Sequence, residues 1–282
     1  MSRLPLLPDR PRPLIFAHRG CSSLAPENTM AAFRMAREIG APGIELDIHI
    51  CRSGELVVAH DDTFQRTVPE GQNGRGKPIE ELDFEEIREL DVGIAFGRQS
   101  DVQKTRELRI PAPALTPAPE PPGFAGEHPP LLEQVLEEFC PGMYIDIELK
   151  TRKTAHDPLP ARAADLLRRL GDRVLGSVTV SSFNPYSILA FKKLCPRVPT
   201  AIIWSAGKGV PLLLRRGLGR IIARCDYLKP VHSQVTGFSR FRFSTLEGRP
   251  LVPWTVDDPQ LARRLLAEGC AGIISNRPQD LL

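Results

Sequence analysis

Two carboxylates two residues apart, Glu45 and Asp47, lie in the apolar run GIELDIHI, and Glu148 lies in a second run, YIDIELK, about a hundred residues later. Side chains of an extended chain alternate, so Glu45, Asp47 and His49 share one face, as do Asp146, Glu148 and Lys150. Carboxylates on the face of a buried strand are costly unless something positive stands between them. A hard divalent cation meets that need. A strand whose polar face meets solvent or an arginine would carry the same letters, so both readings stay open at this point. If a metal is held, all-oxygen ligation favours Mg²⁺ or Ca²⁺ over zinc or copper. Glu148 then completes a three-carboxylate set, Lys150 is placed to hold an anion, and Asp146 reads as structural.

Two histidines end apolar runs, His18 in PLIFAHRG and His60 in VVAHDDT. Imidazole titrates close to neutral pH, so a pair of them beside a metal can serve as base and acid. Either one alone is as well explained by ordinary hydrogen bonds. Arg19 and Gly20 follow His18 directly; glycine there permits a tight turn and a close approach of backbone to a ligand. Glu27 and Asn28 read as braces of this loop, with Asn28 or Thr29 capping the next helix. His49 reads as a rim residue rather than an extra ligand.

These groups need elements that bring them together. Short β-branched runs read as strands at Pro13–Ala17, Gly43–Ile50, Tyr144–Leu149, Val178–Ser181, Thr200–Trp204, Asp226–Leu228, Leu251–Thr255 and Gly272–Ser275. Helical periods fall between most of them, at Thr29–Ile39, Ala161–Leu170, Tyr186–Leu194, Val210–Arg216 and Gln260–Glu268. Alternation of strand and helix implies a mainly parallel sheet. About eight such strands favour a closed α/β architecture, a (β/α)8 TIM barrel, over an open doubly wound sheet. In a barrel, residues near the carboxyl ends of separate strands converge on one mouth. The whole chain, 1–282, is then one catalytic barrel domain. Residues 62–130 break the rhythm and read as an insertion after the second or third strand, part small subdomain and part proline-rich loop. That stretch holds a glycine-rich turn (Gly71–Gly76), a charged amphipathic run (Ile79–Leu90) and six prolines between Pro111 and Pro122.

Composition narrows the function classes. With 41% hydrophobic and 25% charged residues the chain can bury a large core. A formal charge of +3, with basic residues spread along the chain, argues against nucleic acid as partner. The clusters Arg162–Arg169 and Arg215–Arg224 read as solvated helix faces. Six separated cysteines with no CxxC spacing suggest neither a zinc cage nor a redox dithiol. No apolar run reaches the ~18 residues of a transmembrane segment, and prolines interrupt every candidate leader near the amino terminus. A cytoplasmic protein is expected.

Taken together, HRG (His18–Gly20), PENT (Pro26–Thr29), ELD (Glu45–Asp47), HDDT (His60–Thr63), ELK (Glu148–Lys150), SSFNP (Ser181–Pro185), WTVDD (Trp254–Asp258) and SNRP (Ser275–Pro278) resemble the glycerophosphodiester phosphodiesterase family. The resemblance runs in order from His18 to Pro278; HRG with PENT at this spacing is its specific part. It implies a (β/α)8 barrel in which Glu45, Asp47 and Glu148 hold a divalent cation, Mg²⁺ or Ca²⁺. It implies His18 and His60 as the acid/base pair, with Arg19 and Lys150 as phosphate contacts. Phe183 and Trp254 match apolar positions at the mouth, suited to the alcohol part of a small-molecule phosphodiester. The activity implied is hydrolysis of glycerophosphodiesters to sn-glycerol 3-phosphate and an alcohol. Its rivals are a lysophospholipase D on the same barrel, a non-catalytic barrel that binds phosphate esters, and a metal-free lyase. The sequence departs from the family pattern at CRSGE (Cys51–Glu55), at Asn276, where aspartate is frequent, and in the proline-rich insert.

Overall fold

The computed structural model describes residues 4–7, 13–96, 123–151, 157–205 and 215–282. Among the described residues eight strands are formed: β1 Leu14–His18, β2 Gly43–Ile50, β3 Leu56–Val58, β4 Tyr144–Leu149, β5 Val178–Ser182, β6 Thr200–Trp204, β7 Tyr227–Pro230 and β8 Gly272–Ser275. Seven are hydrogen-bonded in the order β7-β6-β5-β4-β2-β1-β8, and their pairings are parallel. β3 is the exception, an antiparallel partner of β2 that alternation did not foresee because it is three residues long.

The expected strand Leu251–Thr255 is not continuous, yet it closes the sheet. Leu251 and Trp254 bridge Leu228 and Val231 on one side. On the other, the Ile274 N–H donates to the Pro253 carbonyl at 3.0 Å and the Val256 N–H to the Ile274 carbonyl at 2.9 Å. Pro250 and Pro253 have no N–H to give, so the segment cannot carry a regular ladder. It serves as the eighth parallel stave of a (β/α)8 barrel. Of the expected helix Val210–Arg216, residues 210–214 lie outside the described residues, as does the proline-dense stretch Pro111–Pro122.

Alternation sorts the staves by face. Ile44, Leu46 and Ile48 of β2 are fully buried against the outer helices, while Glu45 and Asp47 point into the barrel. The first helix, Met30–Glu38, buries Ala32, Phe33 and Ala36, and Thr29 caps it by accepting from the Ala32 N–H. The interior is stratified along its axis. At the amino ends of the strands, Leu14, Phe16, Tyr144, Tyr227, Val252 and Ile274 form an apolar floor, filled by Leu6 and Leu7 from the amino-terminal segment. Towards the carboxyl ends the same strands present His18, Glu45, Asp47, Asp146, Glu148 and Lys229. A further apolar cluster includes Phe64, Val68, Ile79, Leu82, Ile87 and Leu90, packed on Val57 of β3.

Candidate active site

Strand register assembles the polar mouth. His18 of β1 pairs with Glu45 of β2, and Glu45 with Asp146 of β4; one pleat further, Asp47 pairs with Glu148. A slip of one residue in any pairing would turn that strand's acids into the apolar shell. Glu45, Asp47 and Glu148 each offer a carboxylate oxygen within 4.8 Å of the others, and all three are buried. They form an all-oxygen set of the kind that Mg²⁺ and Ca²⁺ take.

The remaining carboxylate charge is met from three sides. Lys150 Nζ lies 2.6 Å from Glu148 Oε1 and 2.9 Å from Asp47 Oδ1. Arg19, at a left-handed φ of 57°, brings its Nε to 3.4 Å from Asp47 Oδ2 and donates from its backbone N–H to Glu45 Oε2 at 3.3 Å. Lys229, buried in the wall, stands 2.9 Å from Asp146 Oδ2 and 3.9 Å from Glu45 Oε1. Burial works to raise the Asp47 pKa, but Lys150, Arg19 and then His60 overcome it and hold the carboxylate well below its usual range. Glu45 goes the other way. Burial first, and Asp47 next, push it well above the usual range, with Lys229 opposing. The mouth therefore has appetite for further positive charge, centred on Glu45.

Both histidines reach the same cavity. It has a volume of about 100 Å³ and is lined by His18, Arg19, Glu45, His60, Glu148, Lys150, Phe183, Lys229 and Trp254 among others. His18 Nδ1 lies 2.6 Å from Asn276 Oδ1. The Asn276 amide orientation is set by its own Nδ2 donating to Asp257 Oδ2 at 2.8 Å, so His18 Nδ1 must carry the proton and Nε2 keeps its lone pair. That Nε2 stands 3.8 Å from Glu45 Oε2. Burial, then the neighbouring Arg19 charge, lower the His18 pKa to about 4, so the ring is neutral near pH 7. His60 Nδ1 lies 2.7 Å from Asp61 Oδ1, and Arg66 holds the other Asp61 oxygen at 2.6 Å. Phe183 and Trp254 meet edge to face at 5.7 Å between centroids.

Around this set lies a brace of residues from the opening loop. Glu27 accepts from Arg19 at 2.9 Å and from Arg66 at 2.6 and 2.8 Å. Asn28, at φ 56°, donates to Asp47 Oδ2 at 2.9 Å. His49, 8% exposed, is buried rather than on the rim, and its Nε2 lies 3.2 Å from the His60 carbonyl oxygen, supporting the loop that carries His60. Gly20 is required by a neighbour other than a ligand: at φ +80° its α-carbon faces Ala32 of the first helix, and a Cβ there would stand 2.6 Å from the Ala32 Cβ.

Sequence reasoning missed Lys229 because the expected strand stopped at Leu228; carried two residues on from Tyr227, alternation points Lys229 inward. It also passed over the Asp257–Asn276 pair behind His18 and the Arg66–Glu27 contact. No local signal joins residues 258 or 39 positions apart.

The glycerophosphoryl diester phosphodiesterase family matches residues 18–280 of this chain. A glycerophosphodiester phosphodiesterase of Caldanaerobacter subterraneus is 31% identical over 95% of this chain and 96% of its own length. One from Bacillus altitudinis is 32% identical over 94% of both chains. Among solved structures, an Oleispira antarctica phosphodiesterase in complex with the product sn-glycerol-3-phosphate superposes with a TM-score of 0.74 at 24% identity, covering 95% of each chain. A glycerophosphodiester phosphodiesterase from Agrobacterium tumefaciens superposes with a TM-score of 0.71 at 25% identity, over 95% of this chain and 97% of that one.

Proposed function

The chain belongs to the glycerophosphoryl diester phosphodiesterase family and is a phosphoric diester hydrolase, and from that premise we propose that it cleaves glycerophosphodiesters to sn-glycerol 3-phosphate and an alcohol. The observation that carries this reading is the meeting of three buried carboxylates and two imidazoles at one cavity. Glu45, Asp47 and Glu148 would hold a divalent cation, Mg²⁺ or Ca²⁺, which supplies charge stabilisation to the phosphoryl oxygens.

The chain's own residues do the rest. Arg19 and Lys150 present fixed positive charge to the phosphodiester, where it counters the negative charge that grows on the phosphoryl oxygens. His18, neutral and with its Nε2 lone pair directed into the cavity, takes the proton from the attacking hydroxyl. Asn276 accepts from the opposite nitrogen and keeps that tautomer in place. His60 is oriented by Asp61 through Nδ1, so its Nε2 delivers a proton to the departing alkoxide. Phe183 and Trp254 offer an apolar edge to the alcohol. The same edge supports a second reading, a lysophospholipase D, in which that alcohol-side surface takes an acyl chain. Residues 62–130 act in this scheme as an insertion that shapes access through His60 and Asp61. Six buried cysteines, none of them in a disulfide, fit a cytoplasmic setting.

The test is turnover of glycerophosphocholine, lysophosphatidylcholine and a chromogenic diester in Mg²⁺, in Ca²⁺ and in chelator. Metal-dependent release of sn-glycerol 3-phosphate is expected, lowered by ~10²–10⁴ in His18→Ala or His60→Ala. Binding without release would favour a phosphate-ester sensor. A cyclic phosphate accumulating in chelator would favour a lyase.

A further inference from the structure

The outer wall of the barrel carries a helix turned inside out. Gly237–Arg240 continues as a π-helical stretch, Phe241–Leu246. Apolar residues at helical spacing normally face the core. Here the stripe faces water: Phe238 is 73% exposed, Phe241 54% and Leu246 68%. The side that packs inward holds Phe243, with Arg240 paired to Glu268 and Glu247 to Arg220 and Arg249. Arg220 joins this helix to the neighbouring one, Gly219–Ala223, by donating to Glu247 at 2.8 and 2.9 Å. That neighbour adds Ile221, 64% exposed, to the same flank.

The charge around this flank is one-sided. Of the charged residues in 215–249, Lys229 is buried inside the barrel and Arg220 is buried against Glu247; the other six arginines stand against Glu247 and, from outside the segment, Glu268, which lies 3.2 Å from Arg240. Asp226 is moreover buried and paired with Lys192, so it offers nothing to the surface. Arg242 lies within the apolar stripe itself, on its exposed side, with Glu247 at 3.7 Å. Two copies of the chain meeting stripe to stripe about a two-fold axis would bring Arg242 towards Arg242 of the other copy. Aromatic and leucine side chains mixed with arginine are instead what an amphipathic helix presents to the headgroup region of an anionic bilayer.

We propose that the flank formed by Phe238, Phe241, Leu246 and Ile221, with its surrounding arginines, docks the enzyme on a membrane surface rich in anionic phospholipid. The helix starts just past the loop that follows β7, where the His232 N–H donates to the Trp254 carbonyl at 2.8 Å. Docking therefore holds the cavity mouth next to the lipid surface from which diesters bearing an acyl chain would come.

Cosedimentation with phosphatidylcholine vesicles, with and without phosphatidylglycerol, tests this on the full chain and needs no turnover. Its failure is thus separable from failure of the proposed hydrolysis. Binding to the phosphatidylglycerol vesicles is expected, weakened by salt. Phe238→Ser with Phe241→Ser should lower vesicle affinity by about tenfold or more. Arg242→Gln, which leaves the apolar stripe intact, should lower it by about five-fold on the anionic vesicles alone. Hydrolysis of soluble glycerophosphocholine should be unchanged in both. Equal binding to both vesicle types, or none, overturns the proposal. So does a wild-type dimer in light scattering that the double serine variant dissociates, since the face then belongs to a second copy.

Discussion

Gly20→Ala is the sharpest perturbation of the opening loop. Gly20 has φ +80°, and an added Cβ would lie 2.6 Å from the Ala32 Cβ and 2.7 Å from the Ala32 carbonyl carbon. The left-handed backbone costs a residue with a Cβ about 1–2 kcal/mol. Forcing a methyl against packed helix backbone adds about 1–3 kcal/mol. A loss of roughly 2–5 kcal/mol is expected, read as a lower urea midpoint at unchanged slope. Gly40→Ala is the matching control: its φ is +81° but nothing lies within 4 Å of the added Cβ. Only the backbone cost of about 1–2 kcal/mol applies there, and turnover should be untouched. In Gly20→Ala the strain must also move Arg19, its immediate neighbour, and His18, one residue further back. A misplacement of about 1 Å at reacting groups costs on the order of 10²-fold in rate. A Gly20→Ala protein no less stable than Gly40→Ala, with full turnover, would refute the claim that Ala32 dictates this glycine and that the turn positions His18 and Arg19.

Glu45→Gln should abolish tight Mg²⁺ or Ca²⁺ binding in calorimetry while the protein stays folded, because the buried carboxylate that most lacks a counter-charge is then neutral. The pH dependence of stability carries a sign. His18 takes its proton near pH 4 in the folded chain and near 6.5 when unfolded, so between those values the unfolded state binds more protons. Stability contributed by this site is complete above about pH 6.5 and falls as pH drops towards 4, by up to roughly 3 kcal/mol. His18→Gln should flatten that part of the profile, measured in chelator by denaturant titration. All six thiols are buried, and burial raises Cys21 and Cys270 to about 11. A thiol reagent at pH 8 should therefore label none until denaturant is added. Prompt labelling of the native protein would contradict the packing described.

The staves were legible where the chain wrote them as uninterrupted β-branched runs. GIELDIHI and YIDIEL match β2 and β4 from end to end, and with them came the inward acids, because alternation converts a strand boundary directly into a face. The eighth stave was foreseen in place but not in form, since Pro250 and Pro253 have no N–H to donate and break the regular ladder, leaving Val252, Trp254 and Val256 to donate between them. Long-range partners stayed hidden. Nothing near His18 announces Asn276, and nothing near Gly20 announces that Ala32 is what it must avoid. Lys229 lay one residue beyond an expected boundary, and boundaries are where propensity is weakest as a guide. The outward stripe of Phe238 and Phe241 escaped for a different reason: its spacing is that of any amphipathic helix, and spacing alone does not tell which way the helix is rolled.

The apolar floor also has a bearing on traffic. Leu6 and Leu7, 2% and 3% exposed, fill the interior from below among Phe16, Tyr144 and Tyr227. The chamber is therefore a cul-de-sac with one doorway at the carboxyl ends of the strands. Under the proposed hydrolysis, the alcohol and the phosphate ester held against Arg19 and Lys150 would both have to leave by that opening.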